Sequence, residues 1–241
     1  MKAIAMIPAR YEASRFPGKL MQLLGDKTVI RRTYEAACET ALFDEVWVVT
    51  DSDQIATEIS AIGGKVLRSK QAHESGTDRI AEVARDLEFD IIVNVQGDSP
   101  FIKKEPLRQL LQEFQDHTVQ VGSLMRPLTA REDIQNPNVV KVVVNNKSDS
   151  IFFSRSVIPF PRDPQQAAPY YEHVGVYAFR KKTLLDFTSW ALTPLEKMEK
   201  LECLRLLEHG IPIRMVITSE KGVEIDTPAD LERARTLLDL L

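Results

Sequence analysis

Short apolar runs alternate with amphipathic stretches through the first hundred residues. The runs "AIAMI" (3–7), "EVWVVTD" (45–51), "KVLRS" (65–69) and "DIIVNVQGD" (90–98) read as strands, and the periodicity between them predicts helices over 29–42, 52–64 and 78–87. Gly63 and Gly64 close the second of these helices. Strands so continuously rich in Val and Ile are buried on both faces. A βαβαβ order then implies a parallel sheet with helices on either side.

The second half is more mixed. "VQVGSLMRPL", "NVVKVVVN", "SIFFSR", "HVGVYAFR" and "IRMVIT" read as strands, several with partial alternation. One helix is predicted over 195–210, ended by Gly210, and another over 227–241 with Thr227 as N-cap and Pro228 at its first position. The loop 158–173 carries four prolines and is the expected mobile excursion. No repeat or low-complexity linker divides the 241 residues, so one domain with an inserted or appended mixed-sheet region is expected.

Composition narrows the function classes. A net charge of −4 and a pI near 5.7 give no global attraction to nucleic acid or to an anionic membrane. No apolar run approaches the roughly 20 residues of a membrane span, and the N-terminus lacks a signal-peptide pattern. Cys38 and Cys203 are far apart and no CxxC occurs, so both read as reduced structural thiols. A soluble, cytoplasmic protein is expected.

The candidate chemistry starts where the first strand ends. "PARYEASRFPGK" (8–19) places Arg10, Arg15 and Lys19 at the edge where parallel sheets bind ligands. Three cations there suit a triphosphate, although a solvated basic turn has the same composition. Gly18-Lys19 lacks the earlier glycine of GxxxxGK[ST] and is followed by Leu20, and GxGxxG is also missing. The missing glycines argue against a dinucleotide-dependent oxidoreductase. Asp98, ending the most apolar strand after Gly97, and Asp226, ending a short strand in "GVEIDTP", read as Mg²⁺ carboxylates or as turn-capping residues. "HESGTDR" (73–79) suits a nucleobase or ribose, or ordinary capping.

On the 195–210 helix, Glu199 and Glu202 share a sector with Leu195, Met198 and Leu206, so they either pair with a cation or bind a polar ligand. His173, Gly175 and Tyr177 line one side of their strand, as a pocket wall or as plain sheet packing. No Ser/His/Asp order, HExxH or Cys-His signature anchors hydrolase chemistry.

These stretches, with "NPNVVKVV", "FFSR..IP" and "PLEKMEKLECLR", resemble the 3-deoxy-manno-octulosonate (KDO) cytidylyltransferase family, in order from residue 4 to about 236. The resemblance implies an α/β fold: a Rossmann-like, mostly parallel sheet flanked by helices, with a mixed-sheet dimerisation region, as in nucleotide-diphospho-sugar transferases. It implies a nucleotide-binding part over about 1–120, a sugar-binding and dimerisation part over about 121–220, and a homodimer. The implied reaction is CTP + KDO → CMP-KDO + pyrophosphate, with Mg²⁺, for lipopolysaccharide biosynthesis. Matched residue by residue, Ala9, Arg10, Arg15 and Lys19 fall on the triphosphate loop, with Lys19, Arg10 and Arg15 catalytic. Ser75, Gly76 and Arg79 fall on the nucleotide-selecting loop, and Asp98 and Asp226 on the metal carboxylates. Gln96, Arg155, His173, Tyr177, Glu199 and Glu202 fall on the sugar-acid pocket. Two positions depart from the family pattern: Ser99 stands where Glu is usual, and Cys203 where Gln is common. They open the acceptor to a KDO variant, such as 8-amino-KDO, or another acidic sugar.

Overall fold

A computed structural model describes every residue except 13–15, 72, 74, 164–168, 221–222 and 241. Arg15 and part of the proline-rich loop therefore lie outside the described residues. The chain forms two units, Met1–Lys104 with Lys221–Leu241, and Glu105–Glu220.

The first unit runs through β1 (Ala3–Ala9), a hairpin of β2 (Leu23–Leu24) and β3 (Lys27–Thr28), α1 (Val29–Glu39), β4 (Glu45–Thr50), α2 (Asp53–Ala61), β5 (Lys65–Arg68), α3 (Gly76–Ala84) and β6 (Ile91–Asn94). Strands β6, β1, β4 and β5 lie side by side in that order and all parallel. Every residue of β1 and β6 is buried, as their unbroken apolar character requires of strands covered on both faces. Thr28, Ser52 and Ser75 start α1, α2 and α3 by accepting the N–H three residues on. Thr227 and Asp230 cap the C-terminal helix, Pro228–Leu238, reciprocally.

Two strand expectations are corrected in this unit. β6 stops at Asn94, and the chain then turns, with Ser99 N–H closing on Gln96 O at 3.1 Å. Residues 223–226 form no strand, although Ile225 N–H bonds Asp98 O at 3.0 Å. Asp98 and Asp226 therefore both stand on irregular backbone beyond the sheet.

The second unit contains α4 (Lys104–Glu113, starting at the boundary), β7 (Val121–Leu128), α5 (Arg131–Gln135), β8 (Lys141–Val144), β9 (Ser150–Ser154), β10 (Tyr170–Arg180), α6 (Lys181–Ser189), α7 (Pro194–Glu199), α8 (Cys203–Glu208) and β11 (Ile213–Ile217). β7 runs antiparallel to β10 and parallel to β11, and β8 pairs antiparallel with both β9 and β10. This is the mixed sheet the partial alternation predicts. The Lys141 ammonium is fully buried beneath it and donates to the carbonyls of Asn136 (3.0 Å), Val139 (2.6 Å) and Arg155 (2.6 Å). Burial pushes its pKa down.

The alternation expected for His173, Gly175 and Tyr177 is interrupted. Val174 faces Leu124 while Tyr177 faces Ser123, so β10 advances three residues as β7 advances one. The rings nevertheless form a ladder: Phe153–His173 centroids are 5.0 Å apart, His173–Tyr177 5.2 Å and Tyr177–Phe179 5.9 Å. Enclosure there pushes the His173 pKa down to about 4.

The helix expected over 195–210 is two helices, broken at Lys200, whose φ is +55°. Arg205 reaches back to Glu196 through two bonds, Nε–Oε2 at 2.8 Å and Nη2–Oε1 at 2.5 Å. These side chains are 5% and 8% exposed, and the guanidinium also lies 4.3 Å over the Phe187 ring. In a straight helix the two residues would stand roughly 13 Å apart along the axis; the break folds α8 back and closes the pair. The shared sector is lost with it, since Met198 is 81% exposed and Leu206 1%.

Arg205→Ala leaves the Glu196 carboxylate buried without its cation, and urea unfolding should show a loss of about 3–5 kcal/mol. His173 carries a linkage of opposite character. Its folded pKa lies below its unfolded value near 6.5, so the stability it contributes is complete above about pH 6.5 and is lost as pH falls towards about 4. Thermal unfolding from pH 7 to 4 should therefore weaken the native protein by up to roughly 3 kcal/mol more than a His173→Gln variant.

Candidate functional site

The loop after β1 folds back on itself through Gly18 N–H to Tyr11 O at 3.0 Å. Gly18 has φ +67°, the left-handed conformation that glycine accepts without strain, and it starts the short 3₁₀ turn Lys19–Met21. That turn aims Lys19 at two carboxylates. Its ammonium donates to Asp98 Oδ2, and to Asp226 Oδ1 at 2.8 Å. Burial works against the charged ammonium, but the field of Asp98 and the hydrogen bonds from both carboxylates outweigh it and hold the pKa above the usual lysine value. Lys19 is therefore a cation throughout the neutral range. Gly97 lets the β6 turn press against the end of β1, from which this loop leaves: a Cβ there would sit 3.0 Å from Pro8 O.

A cleft of about 250 Å³ opens on this ion triad, wholly within the first unit. Ala9, Arg10, Lys19, Ser75, Gly76 and Arg79 line it, and so do Gln96, Asp98 and Asp226. Every described residue that the resemblance assigns to nucleotide or metal thus faces one cavity. Some of these side chains are already engaged. The Ser75 hydroxyl donates to Asp78 Oδ2 at 2.8 Å, and the Arg79 guanidinium bonds Ser69 Oγ at 2.5 Å and Asp51 Oδ2 at 3.0 Å. The carboxylates of Asp98 and Asp226 are the oxygen pair that could hold a hard cation.

His73 also lines the cleft, at the head of the 73–79 segment that suits a nucleobase or ribose, although nothing in the sequence singles out its own side chain. Its Nε2 lies 2.6 Å from Glu82 Oε2. Burial opposes the Glu82 charge, but His73 and the Lys70 N–H hold that carboxyl below its usual range. The signal in the sequence was a lone His three residues before a helix start, too little to single out without the contact to Glu82.

The remaining sugar-set residues belong to the second unit. Glu199 accepts from Ser154 Oγ at 2.7 Å and from Arg155 N–H at 3.0 Å, while Arg155 Nε donates to Glu199 O at 2.7 Å and Nη1 to Pro137 O at 3.0 Å. Arg155 and Glu199 are thus brought together, chiefly through backbone groups. Glu202 sits at the start of α8, its carbonyl accepting Arg205 N–H at 3.1 Å. Tyr177 touches the His173 ring and is hydrogen-bonded to the Cys203 thiol, whose pKa burial pushes up to about 12.

The chain matches the cytidylyltransferase family model over residues 4–217. It is 56% identical to a 3-deoxy-manno-octulosonate cytidylyltransferase of Flavobacterium johnsoniae, with 99% of each chain covered. It is 54% identical to the protein of the same name from Christiangramia forsetii, over 98% of this chain and 97% of that one. A solved structure of CMP:2-keto-3-deoxy-manno-octonic acid synthetase complexed with CTP superposes with a TM-score of 0.95 at 41% identity, covering 100% of this chain and 99% of the other. With the cleft and these matches together, the chain belongs to the cytidylyltransferase family and, within it, to the 3-deoxy-manno-octulosonate cytidylyltransferases.

Proposed function

We propose that this protein transfers the cytidylyl group of CTP to KDO, releasing pyrophosphate and yielding CMP-KDO for lipopolysaccharide biosynthesis. The observation that carries the reading is the Lys19 ammonium held between Asp98 and Asp226, in a cleft also lined by Ala9, Arg10, Ser75 and Gly76. In this reaction the anomeric hydroxyl of KDO attacks the α-phosphorus, the bond to the bridging oxygen breaks, and pyrophosphate leaves while the hydroxyl proton passes to water. Lys19, Arg10 and Arg15 offset the charge on the phosphates and the leaving group, the preorganised electrostatic mode that dominates such transfers. Gly76, where a Cβ would meet Pro8 at 2.9 Å, lets the selecting loop pack against the end of β1, and Ser75 and Arg79 shape that loop. Gln96, Arg155, His173, Tyr177, Glu199 and Glu202 are assigned to the acceptor sugar.

Asp98 and Asp226 fit Mg²⁺: they are hard oxygen donors that already converge on one cation. When bound, Mg²⁺ supplies charge neutralisation and Lewis acidity at the phosphates. Among the described residues no group of three or more His, Cys, Asp or Glu side chains forms, so water and phosphate oxygens would complete its shell.

Exposed apolar side chains on the second unit, Ile151 at 59% and Phe160 at 84%, support pairing of two copies through that unit. The cytoplasm, where CTP is made, suits the reaction, and among the described residues no helix is long and apolar enough to cross a membrane. A KDO variant such as 8-amino-KDO, or another acidic sugar, is the second reading for the acceptor, favoured by Ser99 and Cys203 standing where the family usually has Glu and Gln.

Pyrophosphate release with CTP or UTP, each against KDO and 8-amino-KDO, tests the assignment. Turnover requires CTP in this reading; UTP working in its place overturns it, and the better sugar decides the acceptor. Lys19→Ala should lower kcat/KM by about 2–4 kcal/mol of transition-state stabilisation, roughly 30- to 1,000-fold. A change confined to the KM for sugar would remove Lys19 from the triphosphate.

A further inference from the structure

The irregularity in β10 falls beside one buried hydroxyl. Ser123 of β7 is fully buried, and its Oγ lies 2.8 Å from Val176 O, 3.2 Å from Val174 O and 2.9 Å from His173 Nε2. Both carbonyls belong to the stretch where the β7–β10 register shifts. Carbonyl oxygens only accept, and a serine hydroxyl has one proton to give. That proton goes to the nearer carbonyl, Val176 O, and a lone pair of Oγ is then left facing the histidine. A bare Nε2 there would either oppose two lone pairs or take the proton away from a buried carbonyl. With the Ser123 proton on Val176 O, the 2.9 Å contact is a hydrogen bond when Nε2 carries the hydrogen and donates to Ser123.

We propose that Ser123 is a positioning residue that fixes His173 in its Nε2–H tautomer, so that Nδ1 meets the acceptor sugar solely as a hydrogen-bond acceptor. The proposal rests on the assignment of His173 to the sugar. Among the described residues Nδ1 has no hydrogen-bond partner, and it is not one of the sealed, unsatisfied atoms, which are Asn94 Oδ1 and Thr193 Oγ1. The group it takes is consequently a donor. A sugar hydroxyl fits; a carboxylate does not, because a neutral ring offering only a lone pair repels it. The low pKa of His173 agrees, since the ring stays neutral at working pH. Ser123 thereby couples two tasks, closing the interrupted strand and choosing which face of the imidazole chemistry the ligand sees.

Two-bond proton–nitrogen correlations on protein labelled with ¹⁵N-histidine read the tautomer directly, the His173 signal being identified by its loss in His173→Gln. The expected result is a protonated Nε2 and a bare Nδ1 at neutral pH. A protonated Nδ1, or a cationic ring, overturns the proposal. Kinetics give the second readout. An asparagine amide mimics Nδ1 and a glutamine amide mimics Nε2, so His173→Asn should keep a KM for KDO roughly tenfold lower than His173→Gln, with the KM for CTP alike in both. Ser123→Ala should raise the KM for KDO by a similar factor and mix the two tautomers. Equal KDO constants in the Asn and Gln variants overturn the role of Nδ1 while leaving KDO as the acceptor. No turnover of KDO by the native protein overturns the acceptor reading instead, and with it the ligand half of the proposal.

Discussion

Lys19 is tied to carboxylates 79 and 207 residues away along the chain, and the first unit is arranged so that these three groups can meet. β1, β6 and the entry to the C-terminal helix deliver their following or preceding backbone to one place. Parallel strands all present their C-terminal ends at the same edge, so the segments leaving β1 and β6 emerge together. Glycine at 97 lets the β6 turn approach the end of β1, where an added Cβ would sit tightly, 3.0 Å from Pro8 O. The ammonium then compensates two partly buried acids that would otherwise repel each other. A site of this kind is ready for phosphates and a divalent cation because opposite charges are already concentrated in it.

The second unit solves a different problem, that of keeping polar groups inside a mixed sheet. Lys141 is enclosed but satisfied by three carbonyls, and Glu196 and Arg205 satisfy each other across a helix break. Ser123 donates to the Val176 carbonyl at an interrupted strand pairing. At each of these points the side chain pairs buried polar groups that would otherwise be left unsatisfied, and the directional bonds fix the local backbone. The side chains assigned to the acceptor sugar, including His173, Tyr177 and Glu199, stand next to these fixtures.

Much of this was legible along the chain. β1, β4, β5 and the helices between them follow from apolar runs and period, and the start of the C-terminal helix from Thr227 and Pro228. The misread elements share a cause. Val95 continues the apolar run, yet the turn in which Ser99 N–H closes on Gln96 O ends the strand at Asn94. Residues 195–210 keep helical period on paper, but the Glu196–Arg205 pair needs the bend that a left-handed Lys200 provides. Local pattern carries no information about such pairs. The cleft was readable only as separate segments, and His73 was passed over because its partner, Glu82, lies on the following helix.

The order of residues thus determined by itself the α/β class, the parallel first half, the mixed second half and a family likeness carried by loops around positions 8–19, 73–79 and 222–228. Those features depend on short-range periodicity and on motifs that can be read in one dimension. Tertiary structure alone decided that Lys19 meets Asp98 and Asp226, that α7 and α8 are separate, and that a serine on β7 holds a histidine on β10. Each of these is a contact between distant segments, set by sheet registry and by the cost of leaving a buried polar group unpaired.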